Sequence, residues 1–332
     1  MRRREFIAIL GGAAALAPLA AGAQQSTRVR TIGILLNANE SEIDAQRRLA
    51  AFYRGMNSLG WIAGNNLRVE MRWGRGDRDL VQSHAQELVR MAPDIILTNG
   101  TPSTVALQRE TSSIPIVFAQ VTDPVGEGLV TSLSRPGGNI TGFSAYESEM
   151  GGKWMELLKG MAPGVTRAAL LFNPRTAPGG GTKLIWPHLE SAARTMLVEP
   201  ISMPVANAAD IERSLRSLGT RPGAGLVVMP DGFMFLNSAL VVDLANAMRI
   251  PAIYPFRHYA TIGGLMTYGV DGADLNLRAA SYVDRILKGE KPSDLPVQAP
   301  TKYETVVNLK TARALGLTVP AALEVGADEI VE

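Results

Sequence analysis

The 332-residue chain has no cysteine, is 46% hydrophobic and carries charge on only 19% of its residues, which suits one large or two medium well-cored domains. Three arginines against one glutamate in residues 1–23 account for the whole net charge of +2, and the rest of the chain is balanced. The pI near 8.9 therefore marks no polyanion-binding body, and the lack of a basic helix or aromatic-studded basic stripe argues against nucleic acid as a partner.

The chain starts with a positive stretch, an apolar run from Phe6 to Ala21 and the small-residue site Ala21-Gly22-Ala23. This is the pattern of an export signal, expected to span residues 1–23 and to be cleaved near Ala23. The run is short for a membrane span and is broken by Gly11, Gly12 and Pro18. Arg3-Arg4-Glu5-Phe6-Ile7 fits a twin-arginine route. Without a cysteine there is neither a lipid anchor nor a disulfide framework. A soluble periplasmic protein is expected.

From there apolar runs alternate with helix-length amphipathic segments. Strands are expected at Thr31–Leu36, Leu67–Trp73, Asp94–Thr98, Ile114–Ala119 and Ile140–Ser144, with helices at Ser41–Leu59, Arg78–Met91 and Ser103–Thr111 between them. The second half repeats the pattern. Its strands are Arg167–Phe172, Val198–Met203, Gly225–Met229, Ala252–Tyr254 and Gly264–Tyr268; its helices are Gly151–Met161, Lys183–Met196, Ala208–Leu218, Asn237–Met248 and Ala273–Leu287. The runs alternate little, so they read as strands covered on both faces. Strand and helix in turn mean βαβ units and parallel sheets. Two α/β lobes with sheets of about five strands are expected rather than one wide sheet. Lobe 1 covers residues 28–144 and is completed by part of 270–332, and lobe 2 covers 145–269. The crossings fall at Gly142–Tyr146 and Tyr268–Gly272. The tail, with a strand-like "KYETVV" and a helix from Asn308 to its Gly316 cap, is open as to lobe.

The catalytic search is negative. His84, His188 and His258 stand alone, no metal motif or Gly-x-Ser-x-Gly elbow is present, and "WGRGDRD" and "PGGGTK" read as turns. No catalytic residue, cofactor or metal is expected. What recurs is a polar residue and proline just past a strand: Thr101-Pro102, Asp123-Pro124 and Asn173-Pro174. Such a pair starts a helix, because proline has no N–H to waste there. In parallel sheets the crevice outside the strand ends is also where ligands bind. Gly100, Thr101, Ser103 and Thr104 offer hydroxyls and free N–H groups suited to a carboxylate, with Thr122 and Asp123 placed for an ammonium or hydroxyl. Asn37, past the first strand, joins them. From the second half Asn173, Asp231, Phe233, Tyr254, Phe256 and Arg257 are candidates to close over the ligand.

The segments "PIVFAQVTDPVGEGLVTSLSRPGGNITGFS", "DIILTNGTPST", "GWIAGNNLRVEMRW" and "GLMTYGVDGADLNLRAASYVDRILKGEKPSDLPVQAPTKYETVVNLKTARALGLTVP" resemble the ABC-transporter substrate-binding proteins of the group that includes tryptophan-binding proteins. The resemblance implies two Rossmann-like lobes joined by a crossover hinge, as in type I periplasmic binding proteins, with the ligand in the cleft. It places Thr101–Thr104 and Thr122–Asp123 on first-lobe cleft loops, and Asn173, Asp231 and Tyr254 on second-lobe ones. It further implies delivery of a small solute to an inner-membrane permease; an amino acid or aromatic acid is the expected ligand, and a monomer is natural for a shuttle that must open and close. The glycine-rich "NPRTAPGGGTKLIWPHLE" departs from the family pattern. The alternatives are a ligand-sensing subunit for a receptor and, below it, an exported hydrolase using carboxylates such as Asp123 and Asp231.

Overall fold

The apolar runs form two sheets, each covered by helices on both faces. The computed structural model describes residues 29–145, 147, 149–175, 183 and 185–332; the expected export signal and most of the glycine-rich 178–183 stretch lie outside the described residues. The first lobe runs β1 (Arg30–Leu36), α1 (Ile43–Ser58), β2 (Leu67–Trp73), α2 (Arg78–Arg90), β3 (Ile95–Asn99), α3 (Thr101–Glu110), β4 (Ile116–Val121) and β5 (Ile140–Ser144). Its strands are all parallel, in the order β2-β1-β3-β4-β5. Ile32, Ile34, Leu97 and Val117 fill one core, while Leu35, Ile96, Ile116 and Phe118 fill the other. This two-sided burial is why the runs do not alternate with polar residues.

The second lobe continues with α4 (Met150–Met161), β6 (Arg167–Phe172), α5 (Trp186–Thr195), β7 (Glu199–Pro204), α6 (Ala208–Gly219), β8 (Ala224–Val228), α7 (Gly232–Leu236), α8 (Ser238–Ala247), β9 (Ala252–Tyr254), α9 (Arg257–Thr261) and β10 (Met266–Val270). After α10 (Gly272–Leu287) come β11 (Tyr303–Asn308), α11 (Leu309–Leu315), α12 (Ala321–Gly326) and β12 (Glu329–Val331). The second sheet has seven strands in the order β12-β11-β10-β9-β8-β6-β7. It is wider than the expected five because the tail adds β11, antiparallel to β10, and β12 beside it.

The chain changes lobe after β5, after β10 and again before β11. Between the last two crossings α10 packs on α1 in the first lobe. Leu275, Ala279, Ala280, Tyr282 and Val283 share a core with Leu49, Phe52 and Met56. The two helices touch at Gly55, where a Cβ would lie 2.6 Å from Ala280 Cβ and 2.9 Å from the Leu277 carbonyl oxygen. Gln298 then bonds to the end of β5, its N–H donating to Gly142 O at 3.0 Å and its carbonyl accepting from Ser144 N at 2.9 Å.

Among the described residues, Thr101-Pro102 is the one polar-residue–proline pair that opens an α-helix, and there the cap is Gly100, at φ 79°, rather than Thr101. Asp123 instead closes a turn, accepting from Gly126 N at 2.8 Å. Gly126 and Gly128, the latter at φ 69°, make a helix costly so soon after Pro124. Asn173 likewise closes a turn through Arg175 N at 2.8 Å.

An ionic cluster spans the crossings. Arg47 of α1 donates to Asp271 at 2.7 Å and to Glu304 of β11 at 2.9 Å, and Lys302 reaches Asp271 at 2.8 Å. Asp271 also caps α10 through Ala273 N at 2.9 Å. Burial pushes its carboxyl up, but the Lys302 and backbone hydrogen bonds and the Arg47 charge bring it below its ordinary 3.8. For Glu304 burial outweighs Arg47, and its carboxyl stays raised.

Two outcomes follow from this packing. Gly55→Ala should lower unfolding free energy by about 1–3 kcal/mol in urea titrations, because the crossing must open to admit a methyl group; unchanged stability would contradict the close approach. A depressed folded-state pKa stabilises fully above the unfolded value and is lost as pH falls through the folded one. The stability advantage of wild type over Asp271→Asn should therefore hold at neutral pH and shrink below 3.8, read as unfolding midpoints across that range. A pH-independent difference would remove the ionic account.

Candidate functional site

Parallel strands end together, so the segments after β1, β3 and β4 meet those after β8 and β9 across the gap between the sheets. They enclose a cavity of ≈ 90 Å³, too large for a single ordered water. Asn37, Asp44, Arg48, Asn99, Gly100, Thr101, Pro102, Gln120 and Thr122 line it from the first lobe. Pro230, Asp231, Gly232, Phe235, Phe256, Arg257 and Glu304 line it from the second, with Val270 and Gly272 at the crossing. The lobes touch at its edge. Thr122 Oγ1 donates to Pro230 O at 3.2 Å, and a Cβ on Gly232 would lie 3.2 Å from Pro102 Cγ.

The wall from the first lobe is rich in donors. Gly100 supplies no side-chain cap to α3; Pro102 has no N–H and Thr104 N–H donates to Gly100 O at 3.3 Å, which leaves the Thr101 and Ser103 N–H groups without a side-chain cap, Thr101 on the cavity wall. Arg48 donates to Gln120 Oε1 at 2.6 Å and Asn99 Oδ1 at 3.2 Å, and its Nε lies 3.3 Å from Asp44 Oδ2. Asn99 Nδ2 is buried without a hydrogen-bond partner among the described residues. The opposite wall is aromatic. Phe235 meets Phe256 edge-on at 6.4 Å and the His258 ring at 5.1 Å, while His258 Nε2 lies 3.1 Å from Ser238 Oγ. Burial leads the forces on His258 and holds its pKa below the usual value, with Glu42 and Asp44 pulling the other way.

Seven of the sequence candidates, Asn37, Gly100, Thr101, Thr122, Asp231, Phe256 and Arg257, lie on the cavity wall. Two of these are heavily engaged. Asp231 accepts from Met234 N at 2.8 Å and Asn173 N at 3.1 Å, and Arg257 pairs with Glu329 and, at 3.9 Å, with Glu304. The other six candidates do not line the cavity. Ser103 and Thr104 are wholly buried, and Thr104 Oγ1 donates to its own cap, Gly100 O, at 2.8 Å. Asp123 faces its own turn, and Asn173 backs Asp231 from a 3% exposed position. Phe233 packs on the lobe-2 core. Tyr254 is stacked at 4.9 Å on Tyr259 inside that core, and burial drives both hydroxyls far up.

The sequence reading did not select Asp44, Arg48, Asn99, Pro102, Gln120, Phe235 or Glu304. Arg48 sits within α1, where an Asp44–Arg48 pair at i,i+4 reads as a solvated helix face. Gln120 left a usable trace, since it is the lone amide in the apolar run "IPIVFAQV". Phe235 is two residues from the selected Phe233, on the other side of a short helix.

Among the described residues no helix is long and apolar enough to cross a membrane, and no cluster of three or more His, Asp or Glu could hold a metal ion. The chain is 27% identical over 292 residues to a tyrosine-binding protein of Clostridioides difficile strain R20291, covering 88% of this chain and 82% of that one. An ABC domain in complex with L-Trp from Streptococcus pneumonia shares the fold at TM-score 0.79 with 23% identity, over 91% of this chain and 99% of that one. The ligand-free, open structure of a substrate-binding protein with adhesive properties from Clostridium difficile matches over the same shares at TM-score 0.69 with 25% identity. The two-lobed α/β fold is that of periplasmic binding proteins. The sequence profile of ABC transporter substrate-binding proteins matches residues 31–331, and the chain belongs to that family.

Proposed function

We propose that this protein is the solute-binding component of an ABC importer, exported to the periplasm, where it works as a soluble monomer. It closes its lobes over a small organic acid, an amino acid or an aromatic carboxylate, and presents the closed form to an inner-membrane permease. The observation that carries this reading is the interlobe cavity, which sets an open helix start and Arg48 against Phe235 and Phe256. Donors on one lobe suit an anionic head, and rings on the other suit an apolar body. A ligand touching both walls is held only when they approach, so its binding energy favours the closed form. The relatives named for tyrosine and crystallised with L-Trp support the ligand class. A binding role needs no reacting pair of side chains and involves no turnover.

A thermal-shift screen of amino acids and aromatic acids tests this. One class should raise the unfolding midpoint saturably, since ligand at 100 times its Kd adds about 2.7 kcal/mol. Chemical turnover of the bound compound, or no stabilisation by any member, would overturn the reading. Phe235→Ala and Phe256→Ala should each cost an aromatic ligand about 2 kcal/mol, roughly 30-fold in Kd by calorimetry, and leave an aliphatic acid nearly unaffected. Equal losses for both would show that the rings only hold the fold.

A further inference from the structure

On the first-lobe wall, three polar side chains orient one another. Arg48 Nη1 donates to Asn99 Oδ1 and Gln120 Oε1. A guanidinium has donors only, so both amides must turn their oxygens towards it and their NH₂ groups away. For Asn99 this leaves Nδ2 buried with no protein acceptor among the described residues, beside the uncapped first turn of α3. A desolvated donor of this kind is costly unless something fills it. Arg48, only 14% exposed along its side chain, brings a positive charge to the same place, which it shares with Asp44 Oδ2 3.3 Å from its Nε.

Gln120 is held there by the backbone. It adopts φ 59°, in the left-handed region, at the point where β4 slips register against β5 between Ala119 and Val121. Phe118 and Val121 pack into the same core although they are three residues apart, whereas strand side chains repeat every two. Gln120 is therefore the extra residue of a bulge, turned out of the core towards the cavity. A non-glycine residue in this conformation stores strain. Gly272 gives it room, since a Cβ there would lie 2.6 Å from Gln120 Nε2 and 2.9 Å from Arg48 Cδ.

We propose that Arg48 and Asn99, at the open start of α3, form the seat for the ligand's carboxylate, and that Gln120 is the positioning residue that fixes the guanidinium within it. This rests on the reading of the cavity as the ligand site and narrows it: the ligand must present a carboxylate to the first lobe. The strain at Gln120 is kept because it sets selectivity for acids over their neutral counterparts.

Isothermal titration with matched probes tests the seat: L-tryptophan against L-tryptophanamide, indole-3-acetate against indole-3-acetamide, and benzoate against benzamide, with D-glucose and myo-inositol as uncharged probes. For at least one pair the wild-type protein should bind the acid about 100-fold more tightly than the amide. Gln120→Gly accepts the same φ without strain, so its unfolding midpoint should equal or exceed that of wild type. Its affinity for the acid should nonetheless fall about 10–100-fold, with the amide little changed, so that discrimination collapses. Equal binding of acid and amide by wild type, or undiminished discrimination in Gln120→Gly, would overturn the seat. Tight binding of only the uncharged probes would also overturn it while leaving solute binding intact. Failure of wild type to bind any probe would count against the seat and the underlying reading together.

Discussion

The packing of α10 on α1 is the contact on which the rest of the structure depends. The chain reaches α10 only after completing most of the second lobe, yet buries its apolar face in the first. Gly55 allows this, since anything larger would meet Ala280 and the backbone of α10. Once α10 is docked the chain must cross again to form β11, and the lobes are tied at their crossings instead of by one linker. The same contact places α1 over the strand ends. Arg47 and Arg48 are neighbours about 100° apart on that helix, so Arg47 serves the ionic cluster at the crossings and Arg48 enters the cavity.

The cavity follows from topology and from where polar groups are spent. Parallel order brings strand ends and helix starts to one edge of each sheet, and the crossings turn those edges towards each other. On the second lobe most polar groups are already used: Asp231 caps α7 and holds the Asn173 backbone, and Arg257 answers Glu304 and Glu329. The first lobe keeps a helix start without a side-chain cap and an Asn99 Nδ2 with no acceptor among the described residues. The cavity thus sets a donor-rich wall against an aromatic one.

The fold was legible because burial on both faces of a parallel sheet leaves unbroken apolar runs, and β1, β2, β5 and β6 stand close to where those runs lie. The tail was not, because "KYETVV" has no turn-linked partner in the sequence and pairs with β10 across the whole of α10. The site was half legible. Strand-end logic finds Gly100, Thr101 and Thr122, which owe their positions to local chain direction. It fails for Arg48, whose role depends on how α1 sits over the sheet, and for Gln120, whose side chain would face the core without the bulge. It also selects Tyr254, because an aromatic at a strand end looks the same in sequence whether it packs inwards or outwards.

The central claim is that a small acid sits between the lobes with its carboxylate on the first. The most direct measurement is a crystal structure of the protein grown with the acid that stabilises it most. The account predicts ligand density in the interlobe cavity, with carboxylate oxygens within hydrogen-bond distance of Arg48 and Asn99 and the apolar body against Phe235 and Phe256. Density for the acid outside that cavity, or inside it with the apolar body on Arg48, would contradict the account.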